Sequence, residues 1–398
     1  MNILVVNCGS SSQNFKVYHA SESGEVEIIL SGKAQNVATT TRGGGRIEWQ
    51  VSGEIQVKDI DLPTHQHAAR EYIQILRQSS VNLDAIGNRF VHGGTWLTET
   101  MLVTEDSLKM LEKCLHLAPI HNPNSLSVVQ VYRDEYPQVP QFVVFDTQFH
   151  AHLPDAARRY ALPQDMVDRF GFLKYGFHGL SYQFVSAKSA ELLDVPLDDV
   201  KLIMCHLGTG GSSVAAFKNG HTVDTSMGYS PLPGLVMSTR CGDLDPEIVL
   251  ELMRQGYTVD EVSQILNTQS GLIGLSGYSS NLSEVIEAAG AGNQRCEMAV
   301  EVYANRLKHY IGAYFWQMNG ADAIVFTDEV GTHCSKLREK VCGDVSQLGV
   351  ILDSSANAAA KTDRPQFLHA NNSNVKILSM PTDEEKVILE EVCKNFIL

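Results

Sequence analysis

The sequence predicts an α/β protein built from two similar halves, and two echoes carry that prediction. Residues 3–6 form an apolar strand that ends in the loop Asn7-Cys8-Gly9-Ser10-Ser11-Ser12. A second strand follows at Phe15-Lys16-Val17-Tyr18. The pattern returns at an offset of 200 (Ser12 to Ser212), with strands at residues 202–205 and 214–217 around the loop 206–213. A second echo has an offset of 181 (Phe142 to Ala323). It pairs Phe142-Val143-Val144-Phe145-Asp146-Thr147 with Ala323-Ile324-Val325-Phe326-Thr327-Asp328. Internal repetition of this kind marks a duplicated architecture; chance likeness of short apolar strands is the other explanation.

Composition bounds the function. The 398 residues are 43% hydrophobic and 19% charged, which suits a globular chain of about two domains. Lys and Arg total 31 against 46 Asp and Glu, a net charge of −15. That balance argues against a nucleic acid or an anionic membrane as partner. An anionic small substrate is still possible, since a few local Arg can dominate one cleft. The eight Cys are scattered without a CxxC pair, as in a reduced, cytosolic chain. The start MNILVVNCGSSS has no basic region and does not read as a signal peptide. No apolar run approaches the ~18 residues of a membrane span.

The remaining elements follow in order. Glu22-Ser23-Gly24 reads as the turn after the second strand. The Gly-rich stretch 39–46 precedes no helix and reads as a flexible turn. Ala68, Ala69, Tyr72, Ile73 and Leu76 define one face of a helix over 67–76. Leu108, Leu111 and Leu115 make another stripe. Lys218-Asn219-Gly220-His221 closes a hairpin through an Asn-Gly turn. Asp245 caps a helix with Pro246 at its first position, and Gly256 stops it. Thr258 and Glu261 form a capping box. Residues 297–318 form a long helix rich in aromatics, ended by Asn319-Gly320, whose stripe reads as core or subunit interface.

Candidate chemistry lies in the loops. Gly/Ser loops after strands can present N–H groups to phosphate. Neither loop is a GxxxxGK(S/T) or GxGxxG motif, and each alone reads equally as a tight turn. Arg89, in Asn88-Arg89-Phe90-Val91-His92-Gly93-Gly94, and Arg240, in Ser238-Thr239-Arg240-Cys241-Gly242-Asp243, suit bidentate binding of carboxylate and phosphoryl oxygens. Either alone also reads as a structural ion pair. His121, His178 and His206 sit among Gly, Pro and Asn, as structural histidines often do. The pairs His65/His67 and His150/His152 lack companions for a metal site, and no GxSxG elbow occurs.

Together, VNCGSSS, RFVHGG, APIHNP, VFDTQFH, YGFHGLS, CHLGTGGSS, DTSMG and TRCGDLDP resemble the acetate kinases in order and spacing. TDEEKVI at 382–388 resembles that family's C-terminal acidic motif. The resemblance implies two duplicated RNase-H-like (actin-like ATPase) domains flanking a central cleft, 1–148 plus 383–398 and 149–382, usually in a homodimer. It implies a cytoplasmic enzyme converting ATP and acetate to ADP and acetyl phosphate, with Mg²⁺ or Mn²⁺. A non-catalytic metabolite-binding relative is the alternative from another class, and joint retention of the motif residues argues against it.

Roles carry over motif by motif. The resemblance implies that Arg89 and Arg240 hold acetate and the transferring phosphoryl group. His178 stabilises the phosphoryl charge, Asp146 orients Arg89 or acetate, and His121 supports the same centre. Val91, Ile120, Phe177 and Pro231 enclose the methyl group. Asn7 and Glu384 position the hydrated metal. His206, Leu207, Gly208, Thr209, Gly210 and Gly211 meet the donor phosphates.

The chain departs from the family on the nucleotide side. Asn14 stands where the family has Lys, with Lys16 nearby. Asn281 and Ser283 lie in a segment that has lost an acid and an Arg. Asp328, Glu329, Val330 and Gly331 replace a glycine-rich adenosine loop. That last loop resembles the pyrophosphate-linked acetate kinases, which use pyrophosphate or phosphate in place of ATP or ADP. The lost Arg at Ser283 is not explained by that subfamily.

Overall fold

The computed structural model describes residues 1–21, 25–38, 44–51 and 53–396. The expected turn at Glu22-Ser23-Gly24 and residues 39–43 of the Gly-rich stretch lie outside them. The chain divides into two compact units, Met1–Ala151 with Asp383–Leu398, and His152–Thr382.

The first unit holds strands β1 (Asn2–Cys8), β2 (Ser12–Ala20), β3 (Val26–Gln35), β4 (Gly45–Val51), β5 (Glu54–Ile60), β6 (Ala85–Phe90), β7 (Met101–Leu102) and β8 (Gln141–Phe145). They form one sheet in the order β5-β4-β3-β2-β1-β6-β8-β7. β1 pairs antiparallel with β2 and parallel with β6, which pairs parallel with β8. The helix His65–Gln78 starts two residues before the predicted face, where Thr64 accepts from the His67 N–H. Its Tyr72, Ile73 and Leu76 join Leu4, Phe15 and Val17 in the core. The helix Glu384–Phe396 packs on β1 and β6. Gly87 permits that approach, because a Cβ there would lie 2.7 Å from Val392 Cγ2.

The second unit holds β9 (Leu202–Leu207), β10 (Ser212–Lys218), β11 (His221–Thr225), β12 (Ala323–Thr327), β13 (Gln366–Phe367) and β14 (Lys376–Met380), in the order β11-β10-β9-β12-β14-β13. β9 pairs antiparallel with β10 and parallel with β12, which pairs parallel with β14. Asn219 and Gly220 turn the hairpin with φ of 57° and 75°. Asp245 caps Pro246–Arg254, and Thr258 and Glu261 form the expected box. The long helix Gln294–Gln317 buries Tyr303, Leu307 and Tyr314 against the sheet, while Trp316 is 89% exposed.

Two expectations need correction. Sheet order aligns β1 with β9, β2 with β10, β6 with β12 and β8 with β14. The echo at offset 200 therefore joins equivalent strands, but the echo at offset 181 pairs β8 with β12, which are not equivalent. Parallel strands buried on both faces all read as continuous apolar runs, so likeness among them carries no position. The Leu108–Leu111 stripe also ends with its helix, Glu105–Lys113; Leu115 begins a separate 3₁₀ turn. Among the described residues no helix is long and apolar enough to cross a membrane.

Candidate active site

In the first unit, Arg89 on β6 faces Asp146, which follows the adjacent strand β8. Arg89 donates to Asp146 Oδ2 from Nη2 at 2.5 Å and from Nε at 3.2 Å. Its Nη1 donates to Asn7 Oδ1 at 3.2 Å. Asp146 is 1% exposed, and its Oδ1 has no hydrogen-bond partner among the described residues. Burial alone would lower the Arg89 pKa, but Asp146 and Glu384 outweigh it and hold the guanidinium charged.

Asn7 is oriented at both ends of its amide. Its Nδ2 donates to Glu384 Oε2 and to Glu385 Oε1, each at 3.0 Å. Glu385 also accepts from Asn14 at 3.3 Å and pairs with Lys16 at 3.4 Å, while Lys16 reaches Asp383 at 3.2 Å. Burial raises the Glu385 pKa, yet Lys16 and the Asn7 and Asn14 bonds prevail and hold it below the usual carboxylate range. Asn14 and Lys16 thus have carboxylate partners that sequence reasoning did not foresee. The run Asp383-Glu384-Glu385 was the available signal, of which only Glu384 had been singled out.

His121 occupies the N-cap position of the helix Asn122–Glu135. Asn122 donates to His92 O at 3.0 Å and to Cys114 O at 2.7 Å, tying the two motif segments together. Val91 is buried, whereas Ile120 is 53% exposed.

In the second unit, His178 precedes the helix Gly179–Leu193 in a left-handed conformation, φ 60° and ψ 27°. Such a conformation costs a side-chain-bearing residue about 1–3 kcal/mol and is concentrated at functional sites. His178 Nδ1 lies 2.8 Å from Ser213 Oγ, which lies 2.6 Å from Tyr182 OH. The ring stacks on that of His206, centroids 4.0 Å apart. His206 is buried, with Nδ1 2.9 Å from Ser181 Oγ and Nε2 3.1 Å from Asp328 Oδ2. An ionised carboxylate only accepts, so His206 Nε2 carries a proton. Burial raises the Asp328 pKa, but His206 outweighs it and holds the carboxyl below its ordinary range. Ser181, Tyr182 and Ser213 went unremarked as supports, although Ser181 and Ser213 end the two histidine motifs and Tyr182 directly follows the first.

The loop after β9 is closed by Gly208 N donating to Gly211 O at 3.0 Å, the counterpart of Gly9 N to Ser12 O at 2.9 Å. Leu207 is buried in β9, and Thr209 and Gly210 are exposed at the tip. A Cβ on Gly211 would lie 3.3 Å from Arg240 Nη1 and 3.4 Å from His178 Nε2, so both side chains converge on that glycine. The Arg240 loop is pinned by Met237 N to Arg240 O at 3.2 Å, by Leu272 N to Met237 O at 2.9 Å, and by Ser238 Oγ donating to Thr209 O. Among the described residues no carboxylate pairs with Arg240, whose Nη1 reaches only Met237 Sδ at 3.9 Å. Burial pushes its pKa down.

The other predicted residues take varied places. Phe177 is buried and Pro231 half-buried. Asn281 caps the helix Leu282–Gly290, accepting from Ser283 N at 2.9 Å. Glu329 accepts from Thr209 Oγ1 at 3.1 Å. Val330 packs against the core, and Gly331 is buried.

Two sheets of one topology, each with a closed loop after its first strand, match the duplicated actin-like ATPase architecture. Arg240, beside the glycine turn, is the cation there without a carboxylate partner among the described residues. A family model for the acetokinase family matches residues 2–390. An acetate kinase from Dictyoglomus turgidum is 40% identical over 403 residues, covering 99% of this chain and 97% of its own. The crystal structure of Porphyromonas gingivalis acetate kinase matches with a TM-score of 0.89 at 35% identity, covering 99% of both chains. That of acetate kinase from Entamoeba histolytica matches with a TM-score of 0.89 at 38% identity, covering 100% of both. The chain belongs to the acetokinase family, phosphotransferases with a carboxyl group as acceptor.

Proposed function

We propose that the chain is an acetate kinase that transfers a phosphoryl group reversibly between a donor and acetate, forming acetyl phosphate. The observation that carries this reading is Arg240, a half-buried cation without a carboxylate partner among the described residues, set beside His178 at the Gly211 turn. An acetate oxygen bonds to phosphorus as the donor's P–O bond breaks. The carboxylate is already ionised at neutral pH, so no general base is needed. Charge spreads over the equatorial phosphoryl oxygens, which positioned donors stabilise.

Arg240 and His178 are assigned to those oxygens. His178 Nδ1 is engaged by Ser213 Oγ, which leaves Nε2 as the ring nitrogen directed at the Gly211 turn. Arg89, oriented by Asp146 and supported by His121, is assigned to the acetate carboxylate. Val91, Ile120, Phe177 and Pro231 are assigned to the methyl group. His206 and the loop 207–211 are assigned to the donor. Asn14 and Lys16 are assigned to holding Glu385.

The residues around Asn7 fit a hydrated divalent cation, not a caged one. Asn7 Oδ1 accepts from Arg89, and Glu385 is paired with Lys16. Among the described residues no group of three His, Cys, Asp or Glu could hold a metal. Mg²⁺ commonly keeps several waters and meets one or two carboxylates. Glu384, oriented by Asn7, would be that carboxylate for Mg²⁺ or Mn²⁺. When bound, the ion supplies positive charge to the donor phosphates. The family pattern also supports a cytoplasmic homodimer, which fractionation and sedimentation would check.

ATP is the donor by family pattern. Pyrophosphate or phosphate is the second reading, favoured by Asp328 and Glu329, whose carboxylates engage His206 and Thr209. The test is acetate release from acetyl phosphate, with Mg²⁺ and either ADP or inorganic phosphate as acceptor. Release with either supports the kinase reading, and release with neither overturns it. Phosphate matching or exceeding ADP selects the second reading.

A further inference from the structure

We propose that Arg306 and Tyr310, on the long helix Gln294–Gln317, are positioning residues for phosphoryl transfer: through Asp243 they hold closed the loop that presents Arg240. The inference rests on the kinase reading, in which Arg240 donates to the phosphoryl oxygens, and adds to it the groups that set the position of that guanidinium.

Arg240 lies in the segment 234–243, whose ends are bound to each other. Asp243 N donates to Gly234 O at 3.1 Å, and Gly234 N donates to Asp243 Oδ1 at 2.8 Å. Gly242 makes the return with a φ of 73°, and a Cβ there would lie 2.5 Å from Leu235 O. The other oxygen of Asp243 meets the long helix. Tyr310 OH donates to Oδ2 at 2.7 Å, and Arg306 Nη1 lies 3.1 Å from it. The same Nη1 donates to Gly234 O and to Asp243 O, each at 3.3 Å. Residues four apart on a helix share a face, so Arg306 and Tyr310 reach the loop together.

The Arg240 guanidinium has no comparable hold. Among the described residues no carboxylate pairs with it, so its position follows the backbone that carries it. On one side that backbone is bound to the helix Val259–Thr268: Thr239 Oγ1 donates to Asn267 O at 2.8 Å, and Cys241 N donates to Leu266 O at 3.0 Å. On the other side the hold is Asp243. An exposed ion pair alone contributes little. Asp243 instead accepts from Gly234, Tyr310 and Arg306, and Arg306 also binds the carbonyls at both ends of the loop. Releasing Asp243 from the helix frees the return at Gly242 and shifts Arg240 relative to His178 at the Gly211 turn. A displacement of about 1 Å at a reacting centre can cost about 10²-fold in rate.

The test makes Tyr310→Phe, which removes one hydroxyl, and Arg306→Met, which keeps the stem and loses the charge, in the full-length wild-type chain and in an Arg240→Ala background. In the wild-type background each is expected to lower kcat by about 3- to 30-fold. The acetate KM should move less than about 2-fold, because Arg89 is held separately by Asp146 and Asn7. In the Arg240→Ala background each should change turnover by less than about 2-fold, since residues that act through one group are not additive. The same loss in both backgrounds means a merely structural role and overturns the proposal, as does an unchanged kcat in the single variants. Hydrogen exchange at the Met237 and Asp243 amides gives a reading independent of turnover. Faster exchange in both variants is expected, and unchanged exchange overturns the proposal. Tyr310→Phe, the milder change, carries the test alone if Arg306→Met fails to fold. Absence of acetate release by the wild type with every acceptor would overturn the kinase reading, while the exchange comparison still reports whether the helix closes the loop.

Discussion

The imidazoles of His178 and His206 stack with centroids 4.0 Å apart and planes 25° from parallel. Two cations in that arrangement repel by about 4 kcal/mol at an effective dielectric near 20. The stack therefore favours at most one imidazolium. The Asp328 carboxylate beside His206 Nε2 places any such charge on His206. His178 faces Ser213 with Nδ1 and the Gly211 turn with its other nitrogen.

Arg240→Ala removes the uncompensated cation at the glycine turn. Loss of such an electrostatic contact costs about 10²–10³ in turnover. The fold should survive, because no ion pair is broken. Steady-state kinetics and a melting curve check both halves of the statement, and near-wild-type turnover would remove Arg240 from the site.

Glu385 links folding to pH. Its pKa is depressed in the folded chain by Lys16, Asn7 and Asn14 despite burial. Stability from this group is fully present above its unfolded pKa of about 4.3 and is lost as pH falls through the lower folded value. Glu385→Gln should lower stability at pH 7 by about 1–3 kcal/mol. It should also flatten the acid limb of a denaturant-midpoint profile below about pH 4.5. An unchanged acid limb would contradict the assignment.

Removal of divalent metal with a chelator should abolish transfer, and added Mg²⁺ should restore it. Glu384→Gln should raise the Mg²⁺ concentration for half-maximal rate by about 10–100-fold. The acetate KM should move far less. A variant with the wild-type Mg²⁺ titration would show that Glu384 does not serve the metal.

Acyl size should matter modestly. A hydrophobic pocket discriminates by about 1–3 kcal/mol per methylene. Propionate should therefore work with kcat/KM lower by about 10-fold or more. Butyrate performing as well as acetate would disprove the methyl-pocket assignment of Val91, Ile120, Phe177 and Pro231.

Local signals in the chain were readable. The Gly/Ser loops follow buried strands, Asp245-Pro246 opens a helix, and Asn219-Gly220 turns a hairpin, because each depends on a few adjacent residues. The motifs that carry Arg89, Asp146, His178 and Arg240 are short runs of the same local kind, and the roles of these residues are proposals. The pairs Lys16–Glu385 and His206–Asp328 were not, since each joins residues far apart in the chain. No local pattern says that Asp328 will lie on Gly208. The equivalence of β8 with β14 also depends on sheet order, which apolar composition does not encode.

The C-terminal helix has a consequence for how the molecule is made. Residues 383–398 belong to the unit that begins at Met1, while the other unit is one continuous segment, His152–Thr382. A ribosome adds about 5–20 residues per second, so that segment takes on the order of ten seconds or more to emerge. Throughout that interval Asn7 and Lys16 have no Glu384 or Glu385 to meet, and Gly87 has no helix against it. The later-synthesised unit can finish its sheet first. The earlier one waits for residues 383–398 of the nascent chain, and a polypeptide stalled before them would carry a complete Arg240 loop and an unfinished Arg89 cluster.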